Sequence, residues 1–403
     1  MTTTLTQILF SSTQTAPQAG LRLEWLPESS RAIALRLWRQ LEVDLQSRRV
    51  ACSAVWTETW LNHFGKTVPH EFAVAYRDQR PCGICLLTRG ADERNGPVPI
   101  RTWHVGTSGE PDADSVCVEY NSLLVSPADR REFQQALWKW VALKNDWDEF
   151  RLDGFCEQEL DGWLSCDPNW VIRSRTTNYF DAVIARESNL ATVDALGPET
   201  RSLIRKNMRR AGPIKRQWAE TTAEAEDIFR ELVALHQARW NAVGQPGCYA
   251  SRVFYEFHLE LLNRLVPLKM MGLLRVSTAH GTIGCSQTLI DNNRACMYQG
   301  GRIYTCNQMS SPGVILDFQV IEECRQRGFD QIDFLAGDTP HKRRLSTHHS
   351  ALVWAVCRRP SFKNRLVDGL RSVKHAFQRT FGSPLIAGPQ IPSGTIAADD
   401  SVS

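Results

Sequence analysis

No apolar run in this sequence approaches the roughly 20 residues that span a bilayer. A membrane-spanning helix is therefore not expected. The first twenty residues are rich in Thr, Ser and Gln. They lack the charged start and apolar stretch of a secretory signal. The 12 cysteines are scattered, without the dense spacing of a small disulfide-stapled domain. Cys82 and Cys85 form a C-x-x-C inside a strand-like run, with no second pair at zinc spacing, so no metal site is expected. The net charge of +3 is too small for a polycation wrapped on nucleic acid. Together these absences point to a cytoplasmic chain with reduced thiols.

What is present is a globular balance of 42% hydrophobic and 23% charged residues, over a length of 403 that suggests two domains. Residues 1–20 and 388–403 read as disordered. Between them, one order of elements occurs twice. In residues 21–190, helical patterning covers Ser29 to Gln46 and Ser53 to Phe64. Strand-like runs follow at Glu71 to Tyr76 and Cys82 to Thr88, joined by a turn at Asp78-Gln79, then at Arg101 to Val105 and Val116 to Leu124. A helix is expected from Pro127 to Leu143 and a strand from Glu149 to Leu152. In residues 191–360, helices are expected at Thr222 to Trp240 and Arg252 to Leu265. Strands are expected at Leu273 to Thr278, Ile283 to Ile290 and Ala295 to Tyr298, a helix from Val314 to Arg327, and strands at Gln331 to Leu335 and Ala351 to Cys357. The expected fold is α/β (α+β) with two tandem lobes, each a mostly antiparallel mixed sheet flanked by helices.

Two local features bear on chemistry. Arg201, Arg205, Lys206, Arg209, Arg210, Lys215 and Arg216 put seven positive charges into sixteen residues without an intervening acid. Arg201, Arg205 and Arg209 share one face at i, i+4 spacing. The run reads as a clamp for an acidic ligand or as a solvated helix face. Its lack of interleaved aromatics argues against general nucleic-acid binding. The second feature is the loop Asn307-Gln308-Met309-Ser310-Ser311-Pro312-Gly313, which opens the helix beginning at Val314. A helix N-terminus offers free N–H groups and partial positive charge, and Gly313 allows close backbone approach, so a pyrophosphate fits there. An ordinary loop capped by Ser311 is the alternative.

Three stretches of the second half resemble the CelD/BioF2-like branch of the GNAT acyltransferases, which is related to the FemABX transferases. Leu235-His236-Gln237-Ala238-Arg239-Trp240 is similar to that family's L-H-x-x-R-W. Ser311-Pro312-Gly313-Val314-Ile315-Leu316 is similar to its P-G-x-x-L. Phe329 to Gly337, followed by His341-Lys342-Arg343-Arg344, is similar to its G-x-x-x-x-D-F-x-x-G and Y-K-x-R, with His341 in place of Tyr. The donor loop has a single Gly where typical GNAT enzymes have a richer motif.

The resemblance implies two GNAT-like lobes. The second would bind acyl-CoA (acetyl-CoA) in a splayed notch between the strand near Tyr298 and the strand Ile332 to Leu335, with donor contacts from Ser310, Ser311, Gly313, Val314 and Lys342. A small-molecule amine, such as an amino sugar of envelope or polysaccharide synthesis, would be the acceptor. Arg201, Arg205, Arg209, Arg239 and Trp240 are the candidate substrate contacts. Direct attack on a thioester needs a base, for which Asp333 and His236 are candidates, and a proton for the leaving thiolate, for which Tyr298 is the candidate. Each of the three also has a packing or hydrogen-bonding role open to it. Two other functions stay open: transfer of aminoacyl groups from charged tRNA, and a catalytically inactive accessory protein. Residues 361–387 read as a basic amphipathic helix, with Leu366, Leu370, Val373 and Phe377 on one stripe. Peripheral contact with an anionic membrane is the further expectation there.

Overall fold

The computed structural model describes residues 20–47, 49–92, 99–304, 311–361 and 363–365. The expectations for residues 1–19, for Ser310 and for residues 366–403 lie outside the described residues.

In the first half, the elements are β1 (Arg22–Pro27), α1 (Arg31–Asp44), α2 (Ala54–Phe64), β2 (His70–Arg77), β3 (Arg80–Asp92), β4 (Ile100–Val105), β5 (Leu124–Val125), α3 (Arg130–Leu143), β6 (Glu149–Cys156), α4 (Asp161–Leu164) and β7 (Trp170–Asp181). Helices α5 (Ala182–Glu187) and α6 (Pro198–Ala211) bridge to the second half. There follow β8 (Lys215–Trp218), α7 (Thr222–Ala242), α8 (Arg252–Leu265), β9 (Met271–Thr278), β10 (Gly281–Asp291), β11 (Arg294–Arg302), α9 (Pro312–Gln326), β12 (Gln331–Ala336), α10 (Pro340–Leu345) and β13 (His348–Arg358).

Local chemistry sets several of these boundaries. Ser53 Oγ accepts from Trp56 N to start α2. Thr221 and Glu224 form a reciprocal capping box on α7, a device of about 1 kcal/mol. Asp78 and Gln79 both have positive φ, the requirement of a two-residue hairpin turn between twisted strands. Gly212, at φ +70°, ends α6.

The strands form one sheet in the order β1-β2-β3-β4-β6-β13-β7-β12-β11-β10-β9-β8, with β5 paired to β3. Its pairs are antiparallel except β4–β6 and β11–β12. The order is a mirror: β1-β2-β3-β4-β6-β13 matches β8-β9-β10-β11-β12-β7. Each half gives its last strand to the other half, so the sheet runs without a break across the expected division at 190/191. One apolar cluster joins α1, α2, α7 and α8 on one face of this sheet. On the other face, α3 and α4 cover the first lobe, and α5, α6 and α9 cover the second. Trp56, Trp60, Trp103 and Trp163 are among the largest fully buried side chains.

Three strands, β1, β7 and β8, were not expected from the sequence. The expected strand Val116 to Leu124 is corrected. Only Leu124–Val125 forms a strand, with an isolated bridge from Asn121 to Phe155. Residues Val116 to Tyr120 are instead taken up by the other lobe. Helix α3 starts at Arg130, three residues after the expected Pro127.

Candidate active site

The second lobe contains the splayed pair. β11 and β12 are paired only from Arg294↔Gln331 to Cys296↔Asp333 and then separate. On the β10 side, a register shift between Gln287 and Thr288 leaves Tyr298 as an extra residue in β11. On the other side, β12 bends at Leu335, a non-Gly residue with φ +62°. Such a backbone costs of order 1–3 kcal/mol and persists only when its surroundings hold it.

The backbone N–H and C=O groups of Leu335 and Ala336 all have partners. Leu335 N donates to Asp333 Oδ1 at 2.6 Å and Ala336 N to Glu119 Oε2 at 2.7 Å. Lys342 Nζ donates to Leu335 O at 3.1 Å and Ala336 O at 2.8 Å. Asp333 and Lys342 thus build the notch wall. Both are buried, and burial raises the Asp333 pKa and lowers that of Lys342. The Lys342 ammonium is turned onto carbonyls rather than toward a donor phosphate.

A segment of the first lobe closes one side of this notch. Tyr120 OH donates to Asp333 Oδ2, and Arg294 stacks 3.9 Å from the Tyr120 ring. Tyr298 OH donates to Val116 O. Between these anchors stands Glu119, half-buried, with its carboxylate on Ala336 N and its side chain on the wall of a neighbouring cleft. Burial pushes its pKa up to about 7, against the opposing pull of the Ala336 N–H and of Lys342. A carboxylate in that range can accept a proton near neutral pH. Asp333, one of the two candidate bases read from the sequence, has its carboxylate committed to Tyr120 and Leu335. Glu119 was missed. Its acid sits opposite Val116, Val118 and Tyr120 in an alternating run, the one available clue.

The other candidates fall into separate places. His236 is buried, and its Nε2 accepts from Trp240 Nε1 at 2.9 Å while Nδ1 meets Gln237 Oε1 at 3.1 Å. Burial lowers its pKa. Its ring orients Trp240, and both its nitrogens are in use. Tyr298 is buried and stacked on His258, and burial raises its pKa well above the usual phenol value. Arg201, Arg205 and Arg209 do line one shallow groove on α6. An acid from the preceding turn, Asp194, pairs with Arg205 at 2.6 Å, and Arg201 donates to Leu196 O.

At the start of α9, Ser311 makes no side-chain cap, and Val314 points into the core. A Cβ on Gly313 would stand 2.4 Å from Arg302 Nη1, so Arg302 occupies the space that the missing side chain leaves. The Arg239 and Arg302 guanidinium groups both lie over the Tyr304 ring, at 4.5 and 5.3 Å. The α9 first turn holds no acid. Further along the helix, Asp317 Oδ2 meets His341 Nε2 at 2.6 Å.

The equivalent helix of the first lobe is opposite in character. Asp129 stands at the N-terminus of α3 and Glu132 in its first turn. Arg77 binds both carboxylates, and Glu132 also accepts from Leu21 N at 2.9 Å. That helix end already carries its anions.

The first lobe has its own feature, a cleft of about 220 Å³ bordered by β4, β6, β7 and β13. Alternation along the parallel pair puts Trp103 and Phe150 into the core and His104 and Arg151 on the opposite face. The cleft walls include His104, Glu119, Arg151, Asp153, Arg175 and Trp354. Among the described residues, no group of His, Cys, Asp and Glu could hold a metal ion. No described helix is long and apolar enough to cross a membrane.

Residues 198–343 match the family model of the acetyltransferase (GNAT) domain. No curated protein matches the chain. Among solved structures, FemX aligns with a TM-score of 0.55 at 9% identity, over 83% of this chain and 97% of that one. The C-terminal domain of a putative lysylphosphatidylglycerol synthetase from Agrobacterium fabrum aligns with a TM-score of 0.51 at 9% identity, over 87% of this chain and 97% of that one. At such identities the two likenesses speak for the fold.

Proposed function

We propose, from the match of residues 198–343 to the acetyltransferase (GNAT) domain model, that the chain is an N-acyltransferase that takes its acyl group from a CoA thioester held at the start of α9. The observation that carries this is the contrast between the two lobes. The α3 terminus is filled by Asp129 and Glu132. The α9 terminus has no acid in its first turn and has Arg302 against Gly313. A phosphate is stabilised by free N–H groups and the helix dipole, and a guanidinium adds bidentate contact.

The donor supplies an activated carbonyl. The residues of this chain supply the rest. Strand β11 parts from β12 after Cys296, and in this reading its backbone N–H groups there serve the developing negative charge on the carbonyl oxygen. Glu119, at the junction of notch and cleft, accepts the proton of the attacking amine. The acceptor, an amine such as an amino sugar, reaches Glu119 from the notch. A charged-tRNA donor is the second reading, favoured by the Arg201, Arg205 and Arg209 stripe on α6.

Calorimetry with CoA, run beside transfer assays with acetyl-CoA and with aminoacyl-tRNA on a glucosamine acceptor, tests both readings. The expected result is CoA binding that weakens at least about 10-fold in Arg302→Ala, the loss of one charge-assisted contact. Absence of CoA binding, or equal affinity in the variant, overturns the placement. Turnover with aminoacyl-tRNA alone selects the second reading.

A further inference from the structure

The first-lobe cleft contains a set of groups that N-acylation by the second lobe leaves unused. His104 Nδ1 lies 2.8 Å from Asp153 Oδ2, and its Nε2 lies 3.0 Å from Thr102 Oγ1. All three residues border the cleft. The carboxylate can only accept, so it fixes the proton on Nδ1 and leaves Nε2 to accept from the Thr102 hydroxyl. This is the order of a nucleophile, a base and an orienting acid.

The fold itself does not require this set. The second lobe builds the same parallel pair with Arg294 and Cys296 on β11, opposite Gln331 and Asp333 on β12. There, Tyr120 closes the face, whereas the first-lobe face is open to the cleft. The volume of about 220 Å³ suits a short acyl group and lies below the roughly 300–1,000 Å³ of ordinary ligand pockets.

We propose that Thr102, His104 and Asp153 form a second acyl-handling centre, in which Thr102 Oγ takes a short acyl group from an activated ester or thioester. Thr102 Oγ bonds to the acyl carbon while His104 Nε2 takes the hydroxyl proton. The bond from that carbon to the leaving alkoxide or thiolate breaks, and the proton passes to the leaving group. The acyl-threonine ester is then cleaved by water, which gives the free acid and restores the hydroxyl. This centre does not depend on the donor site at α9.

The test uses the full chain and p-nitrophenyl acetate, followed by intact-mass and peptide mapping after rapid acid quench. The expected result is a release burst equal to the enzyme concentration, with one acetyl group on the peptide that holds Thr102. Thr102→Val should lose that adduct. Asp153→Asn, which keeps the shape but not the orienting charge, should slow the burst about 100-fold or more. Glu119→Gln should retain the adduct while losing amine acylation from acetyl-CoA, which separates this centre from the second-lobe reaction. No adduct in the wild type, an adduct elsewhere, or one that survives Thr102→Val overturns the proposal.

Discussion

Replacing Glu119 by Gln sets two effects against each other, and both follow from one carboxylate. Gln keeps an oxygen that can accept from Ala336 N, so the bend at Leu335 should hold. What is lost is the ability to take a proton. If Glu119 is the base, amine acylation should fall by about 10²–10⁴. The wild-type rate should also rise with pH through about 7, as the carboxylate ionises, and that limb should vanish in the variant. Stability moves the other way. A carboxyl pKa raised in the folded state contributes stability that is present below its unfolded value near 4.5 and is lost as pH climbs through about 7. Gln is uncharged throughout and follows the protonated form. The variant should therefore match the wild type near pH 4 and exceed it by up to about 3 kcal/mol above pH 8, at about 1.36 kcal/mol per pKa unit. Melting curves from pH 4 to 9 and pH–rate profiles on the same preparations measure both. A variant that keeps the rising limb removes Glu119 from the chemistry. A stability gap that does not widen with pH refutes the buried-carboxylate argument itself.

Two further outcomes concern the notch. Tyr120→Phe removes the hydroxyl that donates to Asp333 and leaves a buried carboxylate short of a partner. Denaturant unfolding should show a loss of about 1–3 kcal/mol. The loss should grow as pH rises and Asp333 ionises, because its burial makes the charged form the costly one, and an unchanged midpoint at every pH from 4 to 9 would contradict this. Gly301→Ala places a Cβ 2.2 Å from Leu232 O and 2.9 Å from Leu235 Cβ, while the nearest atom to a Cβ on Gly300 is 3.6 Å away. Gly301→Ala should cost about 1–3 kcal/mol by pushing α7 off β11, and Gly300→Ala little; equal midpoints for the two would sink the account.

The sequence revealed most where one face of an element is covered. Helices α7, α8 and α9 lie against the sheet, so their apolar positions recur with helical spacing, and the hairpins announce themselves through Asp78-Gln79 and Asn292. Strand β7 escaped because that rule fails there. Val171 and Ile172 are 46% and 49% exposed, and Arg173 and Ser174 are exposed too, so no apolar alternation marks the strand. The run Val116 to Tyr120 alternates as a strand would, but its partners are side chains and the notch of the other lobe. The resemblance drew attention to Asp333, Lys342 and Gly313, and all three stand at the notch or at the start of α9. Their surroundings were not legible. Glu119 meets Ala336 across 217 residues of sequence, and Arg302 fills the space at Gly313 only because β11 and α9 pack together.

The mirror order of the sheet explains how two lobes with one plan can carry different residues at equivalent places. Exchange of β7 and β13 joins the lobes through the centre of the sheet, where Leu352, Val353 and Ala355 are buried. Once joined in this way, neither lobe needs to be complete. The first can fill its α3 terminus with Asp129 and Glu132, because α9 retains a terminus free of acids in its first turn. The second can leave one side of its notch to Val116–Tyr120, because the strand exchange holds that segment in place. Under the proposed function the base then lies on one lobe and the donor helix on the other, and the strained bend at Leu335 is held by carboxylates from both: Asp333 from the second lobe and Glu119 from the first.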